Sequence, residues 1–373
     1  MPTVTLNRKI FEKIVGKKLP IEKLKDRISY LGTDLEEVNE KEIHVEIFPN
    51  RPDLLSEGGF ARAFATFVGA KKGIKEYSAK PSGKKMIIDN SAKNIRPYTA
   101  CAIVKGLNLD NEKLREIIQI QEKLHVTYGR HRKKCAIGIY PLDKISFPIK
   151  FLAKKPQDIR FVPLGSDKVM TGAEILSKHD KGKEYAHLLA GLEKFPIFED
   201  SKGKILSMPP IINSDTVGKV DKDTKNIFIE CSGFSMKVLE ICLNIIVCAL
   251  ADMGAKIESI EINAYGKKII TPNLVPRKNK IDINYVNRIL GLNLKDNDIK
   301  KYLEMMGYGY KNRAVMIPAY RADILHEIDF IEDIAIAYGY ENFIAEIPKV
   351  ATIAKEVPIN KLENKIAGVL IGL

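Results

Sequence analysis

The chain has 373 residues, with Lys plus Arg at 60 against Asp plus Glu at 47, a formal charge of +13 that favours polyanionic partners, nucleic acid first. At ~100–200 residues per domain this length allows two or three domains. The composition, 45% hydrophobic and 29% charged, excludes a wholly disordered, collagen-like or coiled-coil chain.

The longest strongly apolar run, Ile241 to Ala251, falls well short of the ~20 residues that a membrane span needs, so no membrane association is expected. The amino terminus lacks the pattern of a secretion signal, and a cytoplasmic address is expected. Cys101, Cys135, Cys231, Cys242 and Cys248 are odd in number and contain no Cys-x-x-Cys pair, which points to reduced thiols filling a core.

The elements, taken in order, describe an α+β chain of several domains. Residues 1–75 begin with a helical pattern over Arg8 to Val15 and continue with strand alternation at Ile43, Val45 and Ile47. The breaker Pro49-Asn50-Arg51-Pro52 follows, after which Asp53 is placed to cap a helix running through Phe60 to Gly69. Residues 70–85, rich in Lys and Gly, read as a solvated linker. Residues 76–270 alternate β-branched runs (Met86 to Ile88, Ala100 to Val104, Cys135 to Ile139, Ile227 to Ile229, Ile257 to Ile262) with helices over Asn111 to His125 and Ser235 to Met253. Residues 271–346 predict two short helices stopping at Gly291 and Gly307, a strand over Ala314 to Ile317, and a helix from His326 to Tyr338. Residues 347–373 form a linker and the start of one more amphipathic helix, as though the chain ended inside a further domain.

Three local patterns carry chemistry. On the last long helix Asp329 precedes Glu332 and Asp333 by three and four positions, on one face, with Asp323 within reach from the preceding turn. Converging carboxylates suit Mg²⁺, and the competing reading is a solvated acidic face. Leu206-Ser207-Met208-Pro209-Pro210-Ile211-Ile212-Asn213 reads as a rigid loop presenting Ser207 and Asn213. In a strand at 227–232, Glu230 and Ser232 share one side of the pleat, either at a pocket rim or satisfying local backbone. The cluster Gly129-Arg130-His131-Arg132-Lys133-Lys134 is either a solvated loop or a contact to a phosphate backbone. No phosphate loop, dinucleotide fingerprint or zinc-ligand spacing is present.

Three stretches in one order, Phe48-Pro49-Asn50-Arg51-Pro52-Asp53-Leu54-Leu55-Ser56, Leu206 to Asn213 and Ile331 to Tyr340, resemble the beta subunits of phenylalanyl-tRNA synthetases of the archaeal and eukaryotic cytosolic type. The resemblance covers essentially the whole chain. It implies a B1-like domain at 1–75, a B3/B4-like editing domain at 76–270, a B5-like domain at 271–346, and a catalytic-like domain of which only the start is present. It also implies an α₂β₂ heterotetramer in which an alpha subunit uses ATP to charge tRNA(Phe), while the beta subunit hydrolyses mischarged Tyr-tRNA(Phe). By the same resemblance Asp323, Asp329, Glu332 and Asp333 are the Mg²⁺ carboxylates. The editing pocket falls on Ser207, Asn213, Glu230 and Ser232, with Lys133 and Glu122 as further candidates. The family more often has Thr where this chain has Ser232. A catalytically silent RNA-binding scaffold and a free-standing trans-editing deacylase are the alternatives.

Overall fold

A computed structural model describes residues 2–347 and 354–373, an α+β structure in two compact units, Met1–Gly339 and Tyr340–Leu373. The first unit opens with a three-stranded antiparallel sheet of β1 (Thr3–Asn7), β2 (Asp34–Val38) and β3 (Glu42–Glu46), in the order β1-β3-β2. Its first helix, Arg8–Val15, starts where the Asn7 side chain accepts from the Lys9 and Ile10 amides, and stops at Gly16, whose φ of 77° is the left-handed geometry that glycine adopts freely.

After a second helix, Ile21–Tyr30, the helix that follows the Pro49–Pro52 breaker departs from the expected start. It spans Glu57–Phe67 and is capped by Ser56, whose hydroxyl accepts from the Gly59 amide, because the Asp53 carboxylate is taken by the buried Arg51 guanidinium at 2.9 Å on both oxygens. Asp53 sits instead in the short turn Pro52–Leu54.

A ten-stranded sheet dominates the unit. It comprises β4 (Ala79–Ile88), β5 (Tyr98–Lys105), β6 (Cys135–Pro141), β7 (Ile149–Lys154), β10 (Phe195–Glu199), β11 (Ile205–Met208), β12 (Ile212–Asn213), β13 (Asn226–Gly233), β14 (Lys256–Ala264) and β15 (Lys267–Thr271), while β8 (Arg160–Phe161) and β9 (Met170–Thr171) pair apart from it. Strand order is β12-β11-β10-β7-β4-β14-β5-β13-β6, with β15 on β14. The 79–85 part of the linker expected at 70–85 is therefore strand, within β4 and parallel to β14; Pro81 is tolerated because the register shifts beside it, where Pro81 to Lys85 face Ser259 to Glu261. The supposed loop at 206–213 is a hairpin, with Ser207 on β11 opposite Asn213 on β12 and the two prolines confined to its turn.

The helix Met236–Asp252 lies on β5 and β13, burying Leu239, Ile246 and Leu250 among others, and ends before Gly254 (φ 98°). A third sheet, β16 (Arg277–Lys280), β17 (Gly309–Lys311) and β18 (Ala314–Ile317), packs with the helices Ile283–Leu290, Asp296–Met305 and Glu327–Tyr338. One buried cluster runs from Val4 and Phe60 through Ile246 to Val315 and Ile331, so all three sheets share a core. The five cysteines are buried and free. In the second unit the helix Pro358–Ile371 begins with Pro358 at its first position, a place where the missing N–H costs nothing. Among the described residues no helix is long and apolar enough to cross a membrane.

Candidate functional site

Strand β13 lies between β5 and β6, and this position fixes Glu230 opposite Gly138 on one side and Cys101 on the other. A Cβ on Gly138 would stand 2.1 Å from the Tyr140 hydroxyl and 2.4 Å from Glu230 Oε1, so only glycine leaves room for both side chains. Tyr140, two residues along the same strand and fully buried, donates to Glu230 Oε1 at 3.1 Å and lies 2.7 Å from Ser207 Oγ and 3.5 Å from Asn213 Oδ1. Residues from three strands thus converge on one phenol.

These residues close one end of a cavity of about 430 Å³. The helix Asn111–Val126 supplies Ile117, Ile118, Glu122 and His125, β6 supplies Ile137 and Ile139, and the hairpin turn supplies Pro209, Pro210 and Ile211. The wall is thus largely apolar, with polar groups at few points, the usual composition of a small-molecule site. Two polar atoms in it lack a partner: Glu230 Oε2 and Arg132 Nε are buried and make no hydrogen bond. An unpaired buried polar atom costs ~1–3 kcal/mol, and a ligand that pairs with it recovers that cost. Burial pushes the Glu230 carboxyl up to about 8, against the opposing effects of the Tyr140 hydrogen bond and Arg96.

The other expected site residues divide. Glu122 joins the cavity wall, and its hydrogen bond to His125 and the nearby Arg132 hold its carboxyl down at about 2. Arg132 is turned inward, contrary to its expected place on a phosphate-binding surface. Its Nη1 donates to the Ile211 carbonyl at 2.8 Å, its Nη2 meets Glu122 at 3.1 Å, and its guanidinium stacks over Tyr185. Arg130, Lys133 and Lys134 are exposed, so Lys133 belongs to the outer basic segment and not to the pocket wall. Ser232 also stays out of the wall: Arg96 Nε donates to its hydroxyl at 3.1 Å.

His125 and Tyr140 are the functional candidates that sequence reasoning passed over. The His125 Nε2 accepts from the Ile137 amide at 2.8 Å, and burial lowers its pKa, so it is a neutral brace between helix and strand. The parity of β6, with Tyr140 two residues beyond Gly138, would have placed Tyr140 on the Glu230 side once the register was known.

The acidic stretch of the third segment does not converge. Asp323 takes the Arg321 guanidinium on both oxygens at 2.7–2.8 Å, and Asp333 takes the same guanidinium at 2.7 Å and the Tyr308 hydroxyl. Asp329 accepts from the Leu325 and His326 amides at 2.7 Å, capping its own helix, and Glu332 is exposed. Among the described residues no group of three or more His, Cys, Asp or Glu is disposed to hold a metal ion. With two of the four carboxylates already paired to Arg321 and Asp329 spent on a cap, these residues do not fit Mg²⁺ as arranged.

Comparison with known proteins identifies the family. A family model described as the tRNA synthetase B5 domain matches residues 279–340. The chain is 40% identical to the phenylalanine–tRNA ligase beta subunit of Thermococcus sibiricus, over all of this chain and 68% of that relative. It is 41% identical to the one from Archaeoglobus fulgidus, again over all of this chain and 68% of that protein. The chain belongs to the phenylalanine–tRNA ligase beta subunit family. A crystal structure of an N-terminal fragment of the Pyrococcus horikoshii beta subunit superposes with a TM-score of 0.86 at 40% identity, covering 91% of this chain and all of the fragment. The α+β architecture expected from the sequence is therefore that of an aminoacyl-tRNA synthetase subunit.

Proposed function

We propose that this chain works with an alpha subunit in an α₂β₂ heterotetramer that uses ATP to charge tRNA(Phe) in the cytoplasm, and that its cavity at Glu230 hydrolyses mischarged Tyr-tRNA(Phe). In this reading residues 1–75 and 271–346 flank an editing domain at 76–270, and Mg²⁺ binds elsewhere than on the carboxylates around Arg321. The observation that carries the editing role is the unpaired, buried Glu230 Oε2 at the end of a largely apolar cavity.

Editing answers a specific limit. A pocket shaped for phenylalanine rejects a hydroxylated isostere only ~10²-fold, short of the ~10⁴–10⁵ that translation wants. A second site that reads the hydroxyl closes the gap. The phenol of a tyrosyl ester pairs with Glu230 Oε2, whereas phenylalanine leaves that atom unpaired at ~1–3 kcal/mol. Tyr140, itself braced by the Ser207 hydroxyl, holds the other carboxyl oxygen and so fixes which way Oε2 points. Ile117, Ile137 and Pro210 exclude water from the ring. Glu122, ionised at neutral pH and half-exposed at the wall, is placed to orient the attacking water, while His125 has its lone pair committed to Ile137. Exposed Arg130, Lys133 and Lys134, on the segment that carries Arg132 into the wall, supply phosphate contacts for the tRNA end.

The deciding experiment is deacylation of Tyr-tRNA(Phe) beside Phe-tRNA(Phe) by the assembled enzyme. Selective hydrolysis of the tyrosyl ester that collapses in Glu230→Ala is the expected result. Equal rates for both esters, or an unaffected Glu230→Ala, would refute it.

A further inference from the structure

A second cavity, of about 330 Å³, opens among the helix Glu57–Phe67, the segment 71–75 that precedes β4, and the residues flanking the third sheet, and it shares no lining residue with the Glu230 pocket. Its wall carries six cations, Arg51, Arg62, Arg321, Lys71, Lys72 and Lys75, against two carboxylates, Asp53 and Asp252. Arg51, Arg62 and Arg321 are each more than nine-tenths buried. Crediting the wall with Asp323 and Asp333, which hold Arg321 from behind, still leaves an excess of two positive charges. Glu304, a carboxylate near Gly73 of the same wall, faces Lys300 at 3.8 Å.

The carboxylates on the wall are occupied. Both Asp53 oxygens accept from Arg51, while Asp252 accepts from Arg62 at 2.6 Å, Lys75 at 2.6 Å and the Tyr77 hydroxyl at 2.7 Å. What the described side chains leave over is donor capacity. Arg51 Nη1, Arg62 Nη2 and the Tyr320 hydroxyl make no hydrogen bond to protein, and none of them is among the fully enclosed unpaired atoms. A wall with spare donors, occupied acceptors and two uncompensated positive charges is the complement of an oxygen-rich dianion. A phosphate monoester carries about −1.5 to −2 near neutral pH and three acceptor oxygens.

We propose that this cavity binds a phosphate group, with Arg51, Arg62 and Tyr320 as its inner donors and the exposed Lys71 and Lys72 at its mouth drawing the anion in. The volume exceeds that of phosphate alone and leaves room for a sugar-sized substituent. The same chemistry is offered by a small phosphorylated molecule and by an RNA phosphate. The proposal does not depend on the deacylation reading.

The test titrates the full chain with inorganic phosphate by calorimetry at constant ionic strength, with chloride as the control. Saturation at one phosphate per chain is expected, weakened about tenfold by Lys71→Ala with Lys72→Ala, since each removes one exposed charge from the mouth. These lysines are chosen because Arg51, Arg62 and Arg321 hold buried ion pairs whose loss could unfold the chain. Lys202→Ala with Lys204→Ala, on a distant exposed turn, should leave the titration unchanged. Absence of saturation beyond the chloride control overturns the proposal, as does an equal loss in both double variants. Competition between phosphate and tRNA(Phe), lost in the Lys71/Lys72 variant, assigns the site to RNA; unchanged tRNA affinity assigns it to a small phosphorylated ligand.

Discussion

Two buried carboxylate sites in this molecule have opposite fates. At the Glu230 end of the first cavity one carboxyl oxygen is held by Tyr140 while the other is buried and unpaired. Around Arg321, Asp323 and Asp333 are bound by one guanidinium, which also lies over the Tyr308 ring. Sequence alone makes the second site look like the ligand centre, because Asp323, Asp329, Glu332 and Asp333 crowd within eleven positions there. Geometry reverses the impression. A site that binds something keeps capacity in reserve, and a site that ties elements together spends it.

The comparison breaks most visibly on Arg321. Replacing it with leucine strands the buried Asp333 and the partly buried Asp323, and removing one partner of a buried ion network costs about 3–5 kcal/mol. Arg321→Leu should therefore move the denaturant midpoint sharply downward, and Mg²⁺ should not restore it. Rescue by Mg²⁺ would mean that the carboxylates prefer a metal once the guanidinium is gone. In the parent chain, calorimetric titration with Mg²⁺ should give no heat that Asp329→Asn removes.

The Glu230 site should behave in the contrary way, with function lost and stability gained. Glu230→Ala should slow deacylation of Tyr-tRNA(Phe) by about 10–100-fold, the worth of one buried hydrogen bond to a charged or polar partner, with the fold intact by circular dichroism. Its pH dependence sharpens the point. The folded-state carboxyl titrates at about 8, above an unfolded value near 4.5. Between these values the folded chain holds a proton that the unfolded chain has released, so this group's stabilising contribution is complete below the unfolded value and declines as pH rises towards 8. Glu230→Gln, which keeps the shape and cannot ionise, should lose that decline. The variant should gain on the parent by roughly 3–4 kcal/mol between pH 5 and pH 8, read from paired denaturation curves. A parallel pair of curves would show that Glu230 is ionised throughout.

How much of this was legible follows the range of the interactions. Helices closed by local signals stand where the pattern put them: Asn7 and Gly16 bracket Arg8–Val15, and Gly254 follows Met236–Asp252. Local signals failed where a distant partner or neighbouring strand intervened. Asp53 lost its capping role to Arg51, and Pro81 entered a strand because β4 bulges there, Pro81 to Lys85 facing only Ser259 to Glu261 of β14. The prolines at 209 and 210 suggested a loop, whereas they occupy only the turn of a hairpin. In the candidate site Ser207, Asn213, Glu230 and Glu122 lie together, but Tyr140 could not be foreseen. Its partners are 67 and 90 residues away, and only the β6–β13 register makes them neighbours. Arg132 shows the same limit, since a run of five basic or imidazole side chains gives no sign that one of them points inward.

That inward turn changes the smallest expected effect. Arg130, His131 and Arg132 all have positive φ, at 49°, 50° and 65°, and this left-handed path sends Arg132 into the wall while its neighbours stay exposed. Arg132 is thus a structural tie between the helix at 111–126 and the hairpin turn, and its replacement would disturb the pocket as well as any charge. The electrostatic test is the triple variant Arg130→Ala, Lys133→Ala, Lys134→Ala, which leaves the tie in place. If these side chains meet phosphates, the slope of log affinity for tRNA(Phe) against log salt should become shallower by about 0.7–0.9 for each phosphate no longer neutralised. Selectivity between tyrosyl and phenylalanyl esters should be unchanged, because the groups that read the phenol lie inside the cavity. A variant that changed selectivity but not the slope would place these three side chains in the pocket's architecture and leave tRNA attachment to another surface.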